Sequence, residues 1–195
     1  MTLIRQIVLV FCLLALPLNS AAADQTDPAL DDLFQQLQEA ENAERVPALE
    51  AEIWRLWLQS GNKQVDGRLQ LGMQAMKSGA LGLAQNAFDD VVKLAPQFAE
   101  GWNKRATLFY IRGDLARSIA DCAQVLALEP RHFGALSGLG LIHAAMGEDR
   151  QALDWFEQAL AVNPHMGSVR RNIESLKSKL KGCLLYTSDA ADDGI

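Results

Sequence analysis

The side chains of this 195-residue chain that could do chemistry are few: His132, His143 and His165, the adjacent carboxylates Asp89 and Asp90, and the thiol of Cys122. A metal centre needs several ligands at short spacing, such as two histidines on one helix face, and these histidines are spaced too widely for that. His132 and His165 follow Pro130 and Pro164 closely and read as surface residues at chain corners, while His143 reads as a packing residue. Asp89 and Asp90 could serve as a general acid and base, but neighbouring residues of a helix point in different directions, so the pair reads as solvated. Cys122 lies 34 residues from both Phe88 and Phe156, which makes it a small core residue rather than a nucleophile. No serine stands in a G-x-S-x-G context and no glycine-rich loop follows a strand. The sequence therefore predicts no catalytic residue, no metal ligand and no cofactor.

The same spacing of 34 governs the punctuation of the chain. Prolines recur at Pro96, Pro130 and Pro164, and glycines at Gly79, Gly113 and Gly147. Apolar residues between them repeat at three and four, as an amphipathic helix requires: Ala84, Phe88 and Val91, then Ser118, Cys122 and Val125, then Ala152, Phe156 and Ala159. Proline biases its predecessor away from helical angles, so Ala95, Glu129 and Asn163 mark helix ends. Glycine adopts the left-handed conformation that closes a helix, so the three glycines mark tight turns within hairpins. Acidic residues after the turns, Asp114, Glu148 and Asp149, suit the exposed donors of the next helix start.

These residues resemble the tetratricopeptide repeat, whose pattern runs W-x2-L-G-x2-Y, then A-x3-F, then P over 34 residues. Residues 65–98 keep Leu71, Gly72, Ala84, Phe88 and Pro96; residues 99–132 keep Trp102 and Pro130, with Ala106, Phe109, Ser118 and Cys122 as substitutes; residues 133–166 keep Leu139, Gly140, Ala152, Phe156 and Pro164. The resemblance implies an all-α fold, a right-handed superhelical α-solenoid of helical hairpins. Residues 24–64 carry a stripe of Leu30, Phe34 and Leu37 and a second one of Ile53, Trp54, Trp57 and Leu58, read as an N-terminal helix pair that is a degenerate repeat or a cap. Residues 167–182 place Val169, Ile173, Leu176 and Leu180 on one face, as a C-terminal capping helix would.

The two ends carry their own expectations. Residues 1–23 hold Arg5, an apolar run from Ile7 to Leu18 and an A-x-A arrangement at Ala21 and Ala23, the pattern of a secretory signal peptide cleaved before Asp24. The run is short for a permanent anchor, which needs about 20 apolar residues, so the expectation is a periplasmic or secreted protein without an integral membrane span. Residues 183–195, CLLYTSDAADDGI, closely resemble the translation of an adapter used in sequencing libraries, and read as a non-native tail that breaks the helical pattern. The formal net charge is −6 with no basic block, which argues against nucleic acid as a partner.

In tetratricopeptide proteins the first helix of each unit lines the concave side. By that resemblance the groove would comprise Leu69, Met73, Met76 and Lys77 from the first unit, Asn103, Lys104, Thr107, Tyr110 and Ile111 from the second, and Ser137, Leu141 and Ala145 from the third. Such a lining suits an extended peptide or an amphipathic helix of a partner protein. One family variant binds chaperone C-termini through Lys and Asn residues; Leu69, Met73, Gly134 and Gly138 stand at most of those places here, so that activity is not implied. The resulting expectation is a non-enzymatic adaptor of the bacterial cell envelope. A structural subunit of a permanent or self-associated assembly, and an enzyme, remain alternatives.

Overall fold

The computed structural model describes residues 24–192, with side chains through residue 181. The segment expected to be a leader, residues 1–23, lies outside the described residues. Among those described there are nine helices and no strand: α1 (Ala29–Glu39), α2 (Val46–Trp57), α3 (Lys63–Lys77), α4 (Leu81–Leu94), α5 (Ala99–Ile111), α6 (Leu115–Leu128), α7 (Phe133–Ala145), α8 (Asp149–Val162) and α9 (Gly167–Asp192).

Three hairpins, α3/α4, α5/α6 and α7/α8, follow one another with the expected period. Within each hairpin the turn glycine takes a positive φ, 78° at Gly79, 74° at Gly113 and 78° at Gly147. That conformation lets two backbone N–H groups fold back onto the helix: Ala80 N–H reaches the Ala75 carbonyl at 2.8 Å and Gly79 N–H that of Met76 at 3.1 Å. A side chain with a Cβ would be strained there, which is why glycine recurs. Asp114 caps α6 by accepting from Arg117 N–H, as its position predicts. Glu148 does not cap α8; its carboxylate turns to His143 Nδ1 at 2.5 Å instead. Helices α4, α6 and α8 stop at the residues before Ala95, Glu129 and Asn163, where the prolines require it.

Apolar stripes build a succession of core clusters through the stack. Phe88, Val91 and Ala84 of α4 pack with Val65 and Leu69 of α3, and Phe156, Ala152 and Ala159 of α8 pack with Val169, Ile173 and Leu176 of α9. Helix α5 approaches both α3 and α7 directly, whereas α4 and α6 approach each other less closely. The first helix of each hairpin therefore forms the inner layer of the curve. Helix α9 packs on the last hairpin through Val169, Ile173 and Leu176 and runs to Asp192, past the expected end at Gly182. Residues 183–192 contain neither proline nor glycine, so nothing there stops the helix.

The N-terminal pair departs further from expectation. A degenerate repeat or cap would stack ahead of α3. Instead, Leu30, Phe34, Leu37, Ile53 and Trp57 form a core with Phe133, joined by Val162 and Met166 from later corners. Polar ties run the same way. Gln25 binds the Gln97 carbonyl at 2.6 Å and the Ala99 N–H at 3.1 Å, Asp31 binds Arg131 at 2.6 Å, and Glu50 binds Asn163 at 2.6 Å. The pair thus lies as a brace across all three proline corners, over the N-terminal ends of α5, α7 and α9. The physical reason is the breadth of its aromatic face. Phe34, Trp54 and Trp57 pack on one another and on Phe133, while the start of α3 exposes polar Lys63 and Gln64.

Candidate peptide groove

Between α5 and α7 the inner layer opens into a cavity of about 170 Å³ lined by Asn103, Ala106, Thr107 and Tyr110 on one side and Gly134, Ser137, Gly138, Leu141 and Ile142 on the other, with Ser118 and Cys122 of α6 as its floor. The cavity exists because of what its floor lacks. In the flanking hairpins Phe88 and Phe156 fill the space beneath Gly72 and Gly140, so closely that a Cβ on either glycine would come within 2.4 Å of the ring. At the equivalent places the middle hairpin has Cys122 beneath Ala106, and the volume the ring would take is left open toward the groove. Burial, with a smaller effect from the charge of Asp121, pushes the Cys122 thiol up to about 12, so it is a packing atom and not a nucleophile.

The polar groups at this site are mostly engaged within the chain. Thr107 Oγ1 donates to the Asn103 carbonyl at 2.9 Å, Ser137 Oγ to that of Gly134 at 3.0 Å and Ser118 Oγ to that of Ala106 at 2.8 Å. Asn103 Nδ2 donates to Glu100 Oε2 at 2.8 Å. Glu100 is fully buried and gathers three partners: Asn103, His132 Nε2 at 3.0 Å, and the Lys104 ammonium at 2.6 Å. The contact from Lys104 to Oε1 is ionic and lacks the angles of a directed hydrogen bond. Burial pushes the Glu100 carboxyl upward, but the hydrogen bond from His132 and the charges beside it outweigh this and hold it below the ordinary range. His132 Nδ1 accepts from Ala135 N–H at 3.1 Å, which places the ring N–H on Nε2, directed toward Glu100.

His132 is therefore not the surface residue expected from its corner. It is wholly buried, with Trp57 of the brace stacked on it at 4.1 Å and 9°. His165 is half-buried, its Nε2 2.9 Å from the Leu37 carbonyl, and His143 packs beside Trp155. Asp89 is likewise not simply solvated. Arg105 bridges it at 2.8 Å to Asp121, also at 2.8 Å, tying α4, α5 and α6 together. Asp90 faces Arg68 at 3.5 Å.

Five of the residues expected in the groove, Asn103, Thr107, Tyr110, Ser137 and Leu141, meet around this cavity. The others do not. Leu69 is 1% exposed and belongs to the core between α3 and α4, because its position turns it toward Phe88 rather than outward. Met73 and Lys77 line a separate shallow depression with Gln70 and Gln74, and Met76 packs against the first hairpin's core. Ile111 is 53% exposed at the far end of α5, outside the cavity. Lys104 stands over the Trp54 ring at 5.2 Å with its side chain 20% exposed, held by Glu100. Sequence reasoning missed Glu100 and the role of Trp54; the one available signal was Glu100 set three and four residues before Asn103 and Lys104.

The repeat geometry has counterparts among known proteins. Models of the tetratricopeptide repeat match residues 69–128 and 133–166. A TPR repeat-containing protein of Rhizobium etli is 32% identical over 161 residues, covering 83% of this chain and 79% of that protein. The chain belongs to the tetratricopeptide repeat family. Solved structures of similar fold include the first TPR of Spaghetti (RPAP3) bound to the HSP90 peptide SRMEEVD, with a TM-score of 0.59, 18% identity, and coverage of 62% of this chain and 96% of that one. The TPR2B domain of yeast Sti1 in its pHsp70 complex has a TM-score of 0.56 at 18% identity, covering 60% and 99%. MamA has 0.57 at 17% identity, covering 73% and 86%. In this tetratricopeptide chain no group of three His, Cys, Asp or Glu residues that could hold a metal occurs among the described residues, and no described helix is long and apolar enough to cross a membrane.

Proposed function

We propose that this tetratricopeptide protein is a non-enzymatic adaptor that holds a peptide or helix of a partner protein in the groove between α5 and α7, and that it works in the bacterial cell envelope after cleavage of a leader near Ala23. The observation that carries the groove reading is the cavity floored by Cys122. Its volume of about 170 Å³ is below the roughly 300–1,000 Å³ of small-molecule sites and suits one side chain of a longer ligand. Two proteins of similar fold, one bound to an HSP90 peptide and one in a pHsp70 complex, support the reading of a protein-interaction module. The envelope setting rests on the apolar run and A-x-A pattern of residues 1–23.

A photo-crosslinking residue in place of Tyr110, compared with one at Leu83 on the outer helix α4, tests the groove in the full chain. Adducts to a different protein from Tyr110 and none from Leu83 are expected. Adducts from Tyr110 only to further copies of the same chain would replace the adaptor reading with a self-associated assembly. Fractionation followed by sequencing of the mature N-terminus checks the location; an uncleaved Met1 in the cytoplasm would remove the envelope from the proposal.

A further inference from the structure

Most donors around the groove are spent inside the protein; the Tyr110 hydroxyl and the second Asn103 Nδ2 hydrogen are the exceptions. Lys104, one cation beside the groove, lies on Glu100 and over Trp54. The amide of Asn103 gives a hydrogen to the same carboxylate. The hydroxyls of Thr107 and Ser137 give theirs to backbone carbonyls of their own helices. What these groups still offer is mostly lone pairs: Asn103 Oδ1 and two hydroxyl oxygens accept, beside the one remaining Asn103 N–H. Helix α7 adds no acidic, lysine or arginine side chain, since between Phe133 and Ala145 its one titratable residue is His143, which faces Glu148. The lining is thus uncharged and acceptor-rich above an apolar floor.

We propose that the groove selects an uncharged peptide segment, poor in carboxylates, that seats one small or medium apolar side chain over Cys122 and offers N–H donors to Asn103, Thr107 and Ser137. Glu100 sets this preference by holding Lys104 and Asn103 away from the ligand. An acidic segment would bring lone pairs against lone pairs, with no cation among the residues lining the cavity to offset the desolvation of its charge. The inference rests on the groove reading above and adds the chemistry of the occupant.

Selection of random twelve-residue peptides, displayed with both ends fused so that no terminal carboxylate is free, tests it on the full mature chain. The expected winners are depleted of Asp and Glu at least about threefold relative to the input. They lose binding to Leu141→Asp, and their affinity changes less than about twofold between 0.05 and 0.5 M salt, because no ion pair forms. In Glu100→Gln, with helicity checked by circular dichroism, Lys104 is released; acidic residues should return to at least the input frequency and salt should weaken binding. Should that variant fail to fold, Lys104→Gln carries the test: it should leave the wild-type selection unchanged, since the ammonium is already engaged. Acid-rich winners from the wild type, or a Lys104→Gln selection that shifts, would overturn the inference while leaving peptide binding intact. No winners sensitive to Leu141→Asp would remove the groove reading as well.

Discussion

The middle hairpin and its two neighbours solve one packing problem in opposite ways. In α3/α4 and α7/α8, glycine faces phenylalanine: a Cβ on Gly72 would meet Phe88 Cε1 at 2.4 Å, and one on Gly140 would meet Phe156 Cδ1 at 2.4 Å. In α5/α6 the same two places hold Ala106 and Cys122, both buried. Side-chain volume has moved across the helix interface and diminished in sum. The difference teaches that a repeat can trade core volume for a binding cavity without disturbing its period, because the neighbouring hairpins retain their rings.

The largest effect should come from removing a ring. Phe156→Ala is expected to cost about 3–5 kcal/mol, since a wholly buried aromatic is lost and its cavity cannot collapse. Cys122→Ala removes one sulfur from a site that already borders open space, and should cost about 1 kcal/mol or less. Urea unfolding of both variants measures the gap; equal losses would mean that the middle hairpin is packed like the others.

The middle hairpin differs also in charge. One repeat before Glu100 stands Asp66, which binds Ser60 Oγ at 2.6 Å near the surface, and one repeat after stands Gly134, with no side chain at all. Only Glu100 of these three is a buried carboxylate. Its folded-state pKa lies below the ordinary glutamate value of about 4.3. The stability it supplies is therefore fully present above that value and is lost as pH falls through the lower folded one. Glu100→Ala, which leaves His132 and Lys104 without their shared acceptor, should cost about 3 kcal/mol at pH 7. Stability measured from pH 6 to pH 3 should fall less steeply in that variant than in the wild type; an unchanged slope would show that Glu100 does not couple to folding.

Two glycines of one helix sharpen the comparison further. Gly140→Ala places a methyl against the Phe156 ring and should destabilise by about 1–3 kcal/mol. Gly138→Ala, two residues earlier, meets only Cys122 Sγ at 4.0 Å, and should stabilise by about 0.4–1 kcal/mol through reduced freedom of the unfolded chain. Thermal melts with opposite signs are expected; two losses would mean that the cavity wall is tighter than the geometry gives.

How much of this was legible in the sequence follows from range. The hairpins, their turn glycines and their helix ends are set by residues within a few positions of one another, and Gly113 or Pro130 announces them locally. The brace was not legible as such, because its partners lie in distant corners: Asp31 finds Arg131 and Glu50 finds Asn163. The same range hid the burial of His132, which depends on Trp57. Leu69 was misplaced because helical periodicity alone does not tell the face toward the hairpin partner from the face toward the groove. The exchange of phenylalanine for cysteine at 122 was visible; that it leaves an open floor required the positions of Gly138 and Leu141 across from it.

The smallest change in stability should accompany the most specific change in binding. Making the middle hairpin like its neighbours takes two substitutions, Ala106→Gly and Cys122→Phe, because the Ala106 methyl would otherwise collide with the new ring as a Cβ at Gly72 would with Phe88. The glycine costs roughly 1 kcal/mol of helix propensity, and the buried ring returns a comparable amount by filling the cavity. Thermal denaturation is thus expected to stay within about 1 kcal/mol of the wild type, whereas Cys122→Phe alone should lose about 1–3 kcal/mol from overpacking. With the floor closed, a partner side chain has no place to enter, so peptides selected on the wild-type groove should bind at least tenfold more weakly. A double variant that folds normally and keeps those peptides would locate the ligand elsewhere on the inner face, and would leave the Phe-to-Cys exchange as a matter of packing alone.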